Sequence, residues 1–225
     1  MIRVRTLLPL LFALCAATLA GCASSSRTTP VEEWDGLVRQ PGTRLGAVFV
    51  KPDAEIVAYR NVLLDPVQVS FARNWDPNRG GRSQVGRLNA ADVTAMKDGL
   101  AELFRETFRA ELARGGYQLV DEVGPDTLRV SAAIIDLFVT APDAMSAGRS
   151  RTYTANAGRM TLVAELRDSV TGEILARVVD ARSGRSTGTW NITNSATNTA
   201  EARRAIGVWA SALRQGLDEL YGRAN

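Results

Sequence analysis

The stretch NAADVTAMKDGLAELFRETFRAELARGG, residues 89–116, decides the fold because it predicts one long amphipathic helix. Its apolar side chains recur every three or four residues, which places them on one face of a helix. Asn89 can cap the first turn, Asp92 lies near the positive end of the helix dipole, and the pair Gly115 and Gly116 ends the helix. Such a helix needs a sheet or a second helix to cover its apolar stripe. The stripe comprises Val93, Met96, Leu100, Phe104, Phe108 and Leu112.

One residue inside this helix goes against helix propensity. A glycine in a helix interior costs about 1 kcal/mol relative to alanine. We therefore expect Gly99 to mark a close approach to a neighbouring element.

Apolar runs on both sides of the helix predict strands. Pro66 lacks an N–H group, so the ladder is expected to break there at an edge or bulge. A later strand loses its alternation at Ile134-Ile135-Asp136, which indicates a bulge or burial on both faces. Asp136 is then either turned outward by the bulge or held as a buried carboxylate. The predicted strands are Leu45–Val50, Val62–Phe71, Tyr117–Val120, Leu128–Thr140, Met160–Arg167 and Ile174–Asp180.

A second amphipathic helix closes the chain. Asn198 is expected to cap it, with Glu201 three residues later in a capping-box arrangement. The turn DSVTGE, residues 168–173, joins the last two strands as a hairpin. The order of elements predicts an α+β fold, a two-layer sandwich in which two long amphipathic helices pack on a mainly antiparallel sheet. The stripe of the second helix comprises Ala202, Ala205, Trp209, Leu213, Leu217 and Leu220.

The N-terminal segment has the pattern of a secretory signal. Arg3 and Arg5 precede an apolar run of 14 residues from Leu7 to Ala20, whereas a membrane-spanning helix needs about 20. We therefore expect residues 1–21 to be a cleaved signal peptide.

Leu19-Ala-Gly-Cys22 resembles the lipobox of bacterial lipoproteins. The resemblance implies cleavage before Cys22, a thioether-linked diacylglycerol on its sulfur and an acylated, palmitate-type amino end. Several acyl chains anchor a protein stably in a membrane. In such lipoproteins an Asp directly after the cysteine resembles a signal for retention in the inner membrane. Position 23 is Ala, which implies the outer membrane, with the protein facing the periplasm. The alternative is an ordinary secreted protein in which this cysteine occurs by chance.

Residues 22–43 are rich in Ser, Thr, Arg, Pro and Gly, which is typical of a flexible tether. We expect the tether to hold a single α+β domain, residues 44–225, off the membrane surface. For residues 31–38 an ordered segment that packs Trp34 on the domain is an equal alternative.

The composition excludes several kinds of chemistry. The chain has no histidine, so Ser-His-Asp and Cys-His catalysis and the commonest zinc ligand are absent. Its two cysteines are Cys15, in the predicted signal, and Cys22, so the mature chain has no other thiol. Loss of Arg3 and Arg5 leaves 25 basic against 24 acidic residues, which is poor evidence for nucleic-acid binding. We expect no cofactor, no metal and no enzymatic activity.

Several stretches of the chain resemble one bacterial family. They are YRNVLLDPVQV (59–69), GGYQLVD (115–121), the strand Leu128–Leu137 and the turn 168–173. Together they resemble the lipoproteins catalogued as domain-of-unknown-function family 3313, over most of residues 31–222. The resemblance implies an address in the cell envelope and no particular activity.

The candidate site is the long loop of residues 72–88. Its arginines could hold an anionic partner, such as a lipid headgroup, a glycan phosphate or an acidic protein face, while its tryptophan offers a stacking surface. The alternative is a solvated loop whose tryptophan tucks into the edge of the core. The candidate residues are Arg73, Trp75, Arg79, Arg82 and Arg87.

These observations predict a membrane-anchored module that binds an envelope protein, a lipid or the cell wall without catalysis. One alternative is an auxiliary component of an envelope transport system. Another is a carboxylate-dependent hydrolase, which would need two acidic groups facing one cleft at roughly 5–9.5 Å.

Overall fold

A computed structural model describes residues 32–52, 54, 59–76, 78, 87–139, 152–154, 158–183, 191–193 and 195–220. They belong to one compact unit, Val31–Asn225. The predicted signal peptide and Cys22 lie outside the described residues. The elements are β1 (Glu33–Trp34), β2 (Leu37–Arg39), β3 (Ala47–Val50), β4 (Asn61–Leu64), β5 (Gln68–Phe71), α1 (Ala90–Arg114), β6 (Gln118–Val120), β7 (Thr127–Val139), β8 (Thr152–Thr154), β9 (Gly158–Asp168), β10 (Ile174–Ser183), β11 (Asn191–Thr193) and α2 (Ser195–Leu220).

Nine strands form one mixed sheet. Its order is β1-β2-β3-β10-β9-β7-β4-β6, and β5 pairs with β7 farther along the same edge as β4. The α+β class is confirmed, but the antiparallel prediction holds only in part, because β4 and β5 pair with β7, and β6 with β4, in parallel. The helix α1 explains the parallel pairing, since a helical crossover returns the chain to the end of the sheet where it started.

Both helices contribute to the core on one face of this sheet. Alternate side chains of β7 and β9 point to that face, as period-two strands require. They meet the buried stripes of α1 and α2 in one cluster. The buried members of the cluster are Phe104, Phe108, Ala132, Ile134, Leu137, Met160, Leu162, Ala164, Ile206, Trp209 and Ala210.

The two predicted interruptions of the strands are present. Asp65, Pro66 and Val67 separate β4 from β5, although both strands pair with β7. In β7 the register shifts between Ile135 and Phe138, and Asp136 has a positive φ of 52°. The side chain of Asp136 is exposed, so the bulge turns it outward and the buried-carboxylate alternative is wrong.

The predicted tether ends earlier than residue 43, because β1 and β2 already belong to the sheet. The Asp35-Gly36 turn between them has positive φ at both residues, 52° and 78°, as a tight hairpin of this type requires. Trp34 packs edge-on against Phe49 at 5.5 Å between ring centroids, and the Arg177 guanidinium lies 4.6 Å from the Trp34 ring. The ordered alternative for residues 31–38 is therefore confirmed over the described positions.

The ends of α1 match the prediction. Asn89 accepts a hydrogen bond from the Asp92 N–H, and the Asp92 carboxylate accepts one from the Asn89 N–H, which completes a capping box. Gly116 has a φ of 76°, and its N–H and that of Tyr117 close the last turn on the carbonyls of Ala113 and Leu112.

The start of α2 differs from the prediction. The helix begins at Ser195, so Asn198 lies inside its first turns and is not the cap. Leu220, the last predicted stripe residue, is 45% exposed, while Ile206 is buried instead. Neither described helix is long and apolar enough to cross a membrane.

The close approach expected at Gly99 is wrong, because a Cβ there would meet no atom within 4 Å. Gly99→Ala should therefore raise the free energy of unfolding by about 0.5–1 kcal/mol, since alanine costs less conformational entropy in a helix. Gly116→Ala is the matched control, because its Cβ is also unobstructed but its φ is positive. It should lower the free energy of unfolding by about 1 kcal/mol or more. Urea unfolding measures both changes, and destabilisation by Gly99→Ala would contradict the open environment.

Candidate functional site

The predicted loop site contains a tryptophan that is already engaged by the fold. Trp75 stacks on Phe71 with 3.8 Å between ring centroids and an interplanar angle of 8°. Its Nε1–H donates to the Val139 carbonyl at 3.1 Å. The core-edge alternative for Trp75 is therefore confirmed, and the ring face turned toward Phe71 is occupied.

The arginines of this loop are described only in part. Arg73 and Arg87 are exposed, whereas Arg79 and Arg82 lie outside the described residues. Asn78 joins the two ends of the loop, since its side chain bonds the carbonyl and the N–H of Leu88 at 3.0 and 2.8 Å. Binding of an anionic partner by this loop stays a prediction.

The sequence also offers two weaker candidates in stretches that it predicts as irregular, residues 141–158 and 184–197. They are the arginines around Tyr153 and those around Gly184, for which ordinary strand-connecting loops are the favoured alternative. Arg149, Arg151 and Arg185 lie outside the described residues, and the side chain of Tyr153 is likewise not described. The two stretches contain the short strands β8 and β11, which pair with each other. The prediction missed them because three-residue strands leave almost no periodicity.

A cleft of about 680 Å³ opens between the two helices and the sheet. Its walls are the N-terminal halves of α1 and α2, and its floor is the end of the sheet where β7 and β10 finish and β9 begins. The volume falls in the range of roughly 300–1,000 Å³ that is typical of small-molecule sites. Apolar residues that line it include Met96, Leu100, Leu103, Leu137, Met160, Ala202, Ala205 and Val208.

Polar contacts join the two helices at the other end from this cleft. The Glu111 carboxylate of α1 accepts bonds from Arg214 at 2.9 Å and Ser211 at 3.1 Å, both on α2. Just past α1, the Tyr117 hydroxyl donates to Asp218 at 2.9 Å. Toward their N-termini the helices are instead separated by the cleft, whose α2 wall contributes the small side chains of Ala202 and Ala205.

Two of the three described acidic residues that line the cleft, Glu102 and Glu201, are paired with arginines of their own helices. The Arg105 guanidinium donates to Glu102 and lowers the pKa of that carboxyl, whereas a general acid needs a raised one. Glu201 forms an ion pair with Arg204 on the same helix. Among the described residues, no group of acidic or cysteine side chains could hold a metal ion.

A second network of charges lies on the other face of the sheet. Burial tends to raise the pKa of the Glu165 carboxyl, but hydrogen bonds from Arg177 and Arg167 outweigh it, and the pKa is lowered. Arg177 also bonds Asp35 of the N-terminal hairpin. This network ties the hairpin to β10, which indicates a structural role.

Asp180 is a buried carboxylate that the sequence did not single out. It is 4% exposed and accepts a hydrogen bond from Trp209 Nε1 at 2.7 Å and from the Gly46 N–H at 2.8 Å. Arg182 donates to the same carboxylate and, through Nη2, to the Arg44 carbonyl. The residue thus joins α2, β10 and the start of β3 beside the cleft. A single Asp in a strand pattern carries no sequence signal for this role.

Residues 29–213 match the family described as Protein of unknown function (DUF3313). The chain belongs to this family. The family match therefore covers the described fold from the N-terminal hairpin to most of α2.

The solved structures offer distant similarities. The PelC dodecamer from Paraburkholderia phytofirmans is 13% identical, with 74% of this chain and 98% of that chain covered and a TM-score of 0.36. A minor lipoprotein from Acinetobacter baumannii is 11% identical, with 73% and 95% covered and a TM-score of 0.34. No curated protein matches the chain. Agreement at this level carries no inference about the function of the DUF3313 chain.

Removal of the buried carboxylate should destabilise the fold. Asp180→Ala leaves Trp209 Nε1 and the Gly46 N–H without their acceptor, so the free energy of unfolding should fall by about 3 kcal/mol. Asp98→Ala, at an exposed position on α1, should change it by less than about 0.5 kcal/mol. Denaturant unfolding measures both, and equal small effects would contradict the importance of Asp180.

The contacts between the helices predict that the free energy of unfolding depends on pH in the acidic range. The pKa of Glu111 is lowered from 4.5, chiefly by the bond from Arg214, against the effect of burial. A carboxyl whose folded pKa is below its unfolded value stabilises the fold fully above the unfolded pKa, and this contribution is lost as the pH falls through the folded pKa. The free energy of unfolding should therefore fall as the pH is lowered below about 5.

Glu111→Gln should flatten that part of the pH profile. Glu106→Gln, which changes an exposed α1 carboxyl without an ion pair among the described residues, serves as the control and should leave the slope in place. An unchanged slope in Glu111→Gln would show that this residue does not couple the helices through its charge.

Proposed function

We propose that the chain is a lipid-anchored envelope protein that acts as a non-catalytic binding or accessory module. The observation that carries this proposal is the open, largely apolar cleft between the N-terminal halves of α1 and α2. Concave apolar sites with a few polar groups at their edge are the usual form of ligand sites.

The charges around the cleft support binding over catalysis. Glu102 and Glu201 are each paired with an arginine of their own helix. The pKa of Glu102 is lowered by Arg105, which gives no support to the hydrolase alternative, since that reaction needs one protonated carboxyl. The cleft is also compatible with the second candidate, an auxiliary role in envelope transport, because a carrier needs an apolar site open to solvent.

The anchor and its location rest on the sequence. The charged start, the short apolar run and the Leu19–Cys22 motif support lipidation at Cys22. Ala23 supports the outer membrane, with the domain facing the periplasm. A partner would then be an envelope protein, a lipid or a component of the cell wall.

The anchor is tested by metabolic labelling of the full-length protein with palmitate. The wild-type chain should carry label and begin at Cys22, and Cys22→Ser should carry none, because serine offers no thiolate to the lipid donor. Cys15→Ser is the matched control and should be labelled as the wild type is. A labelled Cys22→Ser chain, or a first residue well past position 22, would contradict the anchor.

The binding role is tested by crosslinking in cells followed by mass spectrometry. Partners that depend on position at the membrane should be lost in Cys22→Ser, whereas the folded domain should remain. If crosslinking returned no specific partner of any class, the binding function would be wrong.

A further inference from the structure

The apolar stripe of α1 loses its protein cover where it reaches the cleft. Phe104, Phe108 and Leu112 in its C-terminal half are at most 3% exposed. Leu100 and Met96, one and two turns earlier in the same stripe, are only half-buried and line the cleft. Burial of apolar surface is the main favourable term in folding and binding, so this part of the stripe is a surface that a ligand can cover.

The cleft provides an adaptable apolar channel. Met96 and Met160 face it from α1 and β9, and methionine side chains adjust readily to ligands of different shape. Between residues 95 and 106, α1 borders the cleft over roughly 16 Å of its length. A Cβ added at Gly99 would meet no atom within 4 Å, which shows that this wall is open. An elongated apolar site suits an extended alkyl chain better than a compact ring system.

Among the described residues, two arginines and a single carboxylate lie at the sheet end of the cleft, which gives it a net positive charge. Arg159 lines it with its guanidinium 4.6 Å from the Phe138 ring. Arg182 lines the same end, and two of its guanidinium nitrogens bond the Asp180 carboxylate and the Arg44 carbonyl. Within the described part of the chain its Nη1 makes no hydrogen bond, and the side chain is 31% exposed. Ser183 and Thr199 add hydroxyl groups to the lining of the cleft.

The N-terminal part of α2, where the helix dipole is positive, also lines the cleft. Thr199 belongs to the N-terminal part of α2, and the first turn of α2 carries no acidic residue. A helix N-terminus attracts negative charge, and a guanidinium binds carboxylate and phosphate in preferred geometries. The acidic residues of the lining, Glu102, Glu106 and Glu201, belong to the two helices, and the described strands at the sheet end contribute none.

We propose that the cleft binds a single alkyl or acyl chain with an anionic head. The alkyl chain of the ligand lies against Met96 and Leu100 between the helices, and its carboxylate or phosphate head lies at Arg182. This inference rests on the proposed binding role of the cleft, but it does not depend on the anchor at Cys22.

Native mass spectrometry of the lipidated protein in digitonin, a steroid detergent without a linear alkyl chain, tests the inference. The probe is dodecyl phosphate, and the comparison arms are dodecanol, which has the chain alone, and inorganic phosphate, which has the head alone. The expected result is one dodecyl phosphate per chain, bound about tenfold more tightly than dodecanol because the head gains charge-assisted hydrogen bonds. Inorganic phosphate should show no specific adduct.

Matched variants show where the alkyl chain and the anionic head of the ligand bind. Gly99→Phe places a ring at the open wall and should lower dodecyl phosphate occupancy about tenfold. Gly216→Phe is the control, since a Cβ at this α2 glycine also meets no atom within 4 Å and the residue does not line the cleft; it should bind as the wild type does. Arg182→Gln should remove the preference for dodecyl phosphate over dodecanol, and Arg182→Lys should restore part of it. Thermal melts of each variant report folding.

Several results would overturn the inference. They are equal occupancy in Gly99→Phe and Gly216→Phe, equal affinity of the wild-type chain for dodecanol and dodecyl phosphate, and a specific adduct with inorganic phosphate alone. The comparison of the three probes on the wild-type protein needs no substitution. It therefore shows whether the anionic head contributes to binding even if Arg182→Gln fails to fold. Capture of a protein partner in cells, without any dodecyl phosphate binding, would refute this ligand and leave the proposed binding function standing. The same spectra weigh the polypeptide, so a missing acyl mass on Cys22 would count against the anchor alone.

Discussion

The hydrogen bond between Trp209 and Asp180 is the contact on which the placement of α2 depends. Both residues are buried, at 2% and 4% exposure, and their polar atoms lie 2.7 Å apart. A carboxylate in a protein interior must be satisfied by donors, and an indole N–H, a backbone N–H and a guanidinium supply them here. The same carboxylate therefore fixes α2 on the sheet and orients Arg182 at the edge of the cleft.

The cleft is a consequence of how the two helices are held. They share one core with the sheet near Phe104, Phe108 and Trp209, and Glu111 and Arg214 link them farther along. Toward their N-termini the apolar stripe of α1 continues without full cover, so folding leaves a concave apolar surface there. The two helices are therefore held together by side-chain contacts toward their C-termini, and they leave an apolar surface uncovered toward their N-termini.

The sequence predicted those elements whose signals are local. The capped helix at Asn89, the bulge at Asp136 and the turn at residues 168–173 each follow from residues within a few positions of one another. The parallel pairing of β4 with β7 was missed, since strand direction is decided by the crossover and not by alternation. The Asp35-Gly36 turn is a strong local signal, but the Ser- and Pro-rich composition before it favoured a tether. The start of α2 was placed too late because Asn198 and Glu201 imitate a capping box.

The candidate site was less predictable than the fold. The loop prediction relied on arginines and on Trp75, and the fold uses that ring to cover Phe71. The cleft requires residues from α1, α2 and three strands, and no spacing within the sequence brings them together.

Ligand binding in the cleft is tested most directly by hydrogen–deuterium exchange of the full-length protein, with and without dodecyl phosphate. We predict slower exchange with the ligand in residues 95–106 and 198–208, which form the two helical walls of the cleft. Unchanged exchange in both segments, or protection confined to the strand residues 161–167, would contradict it.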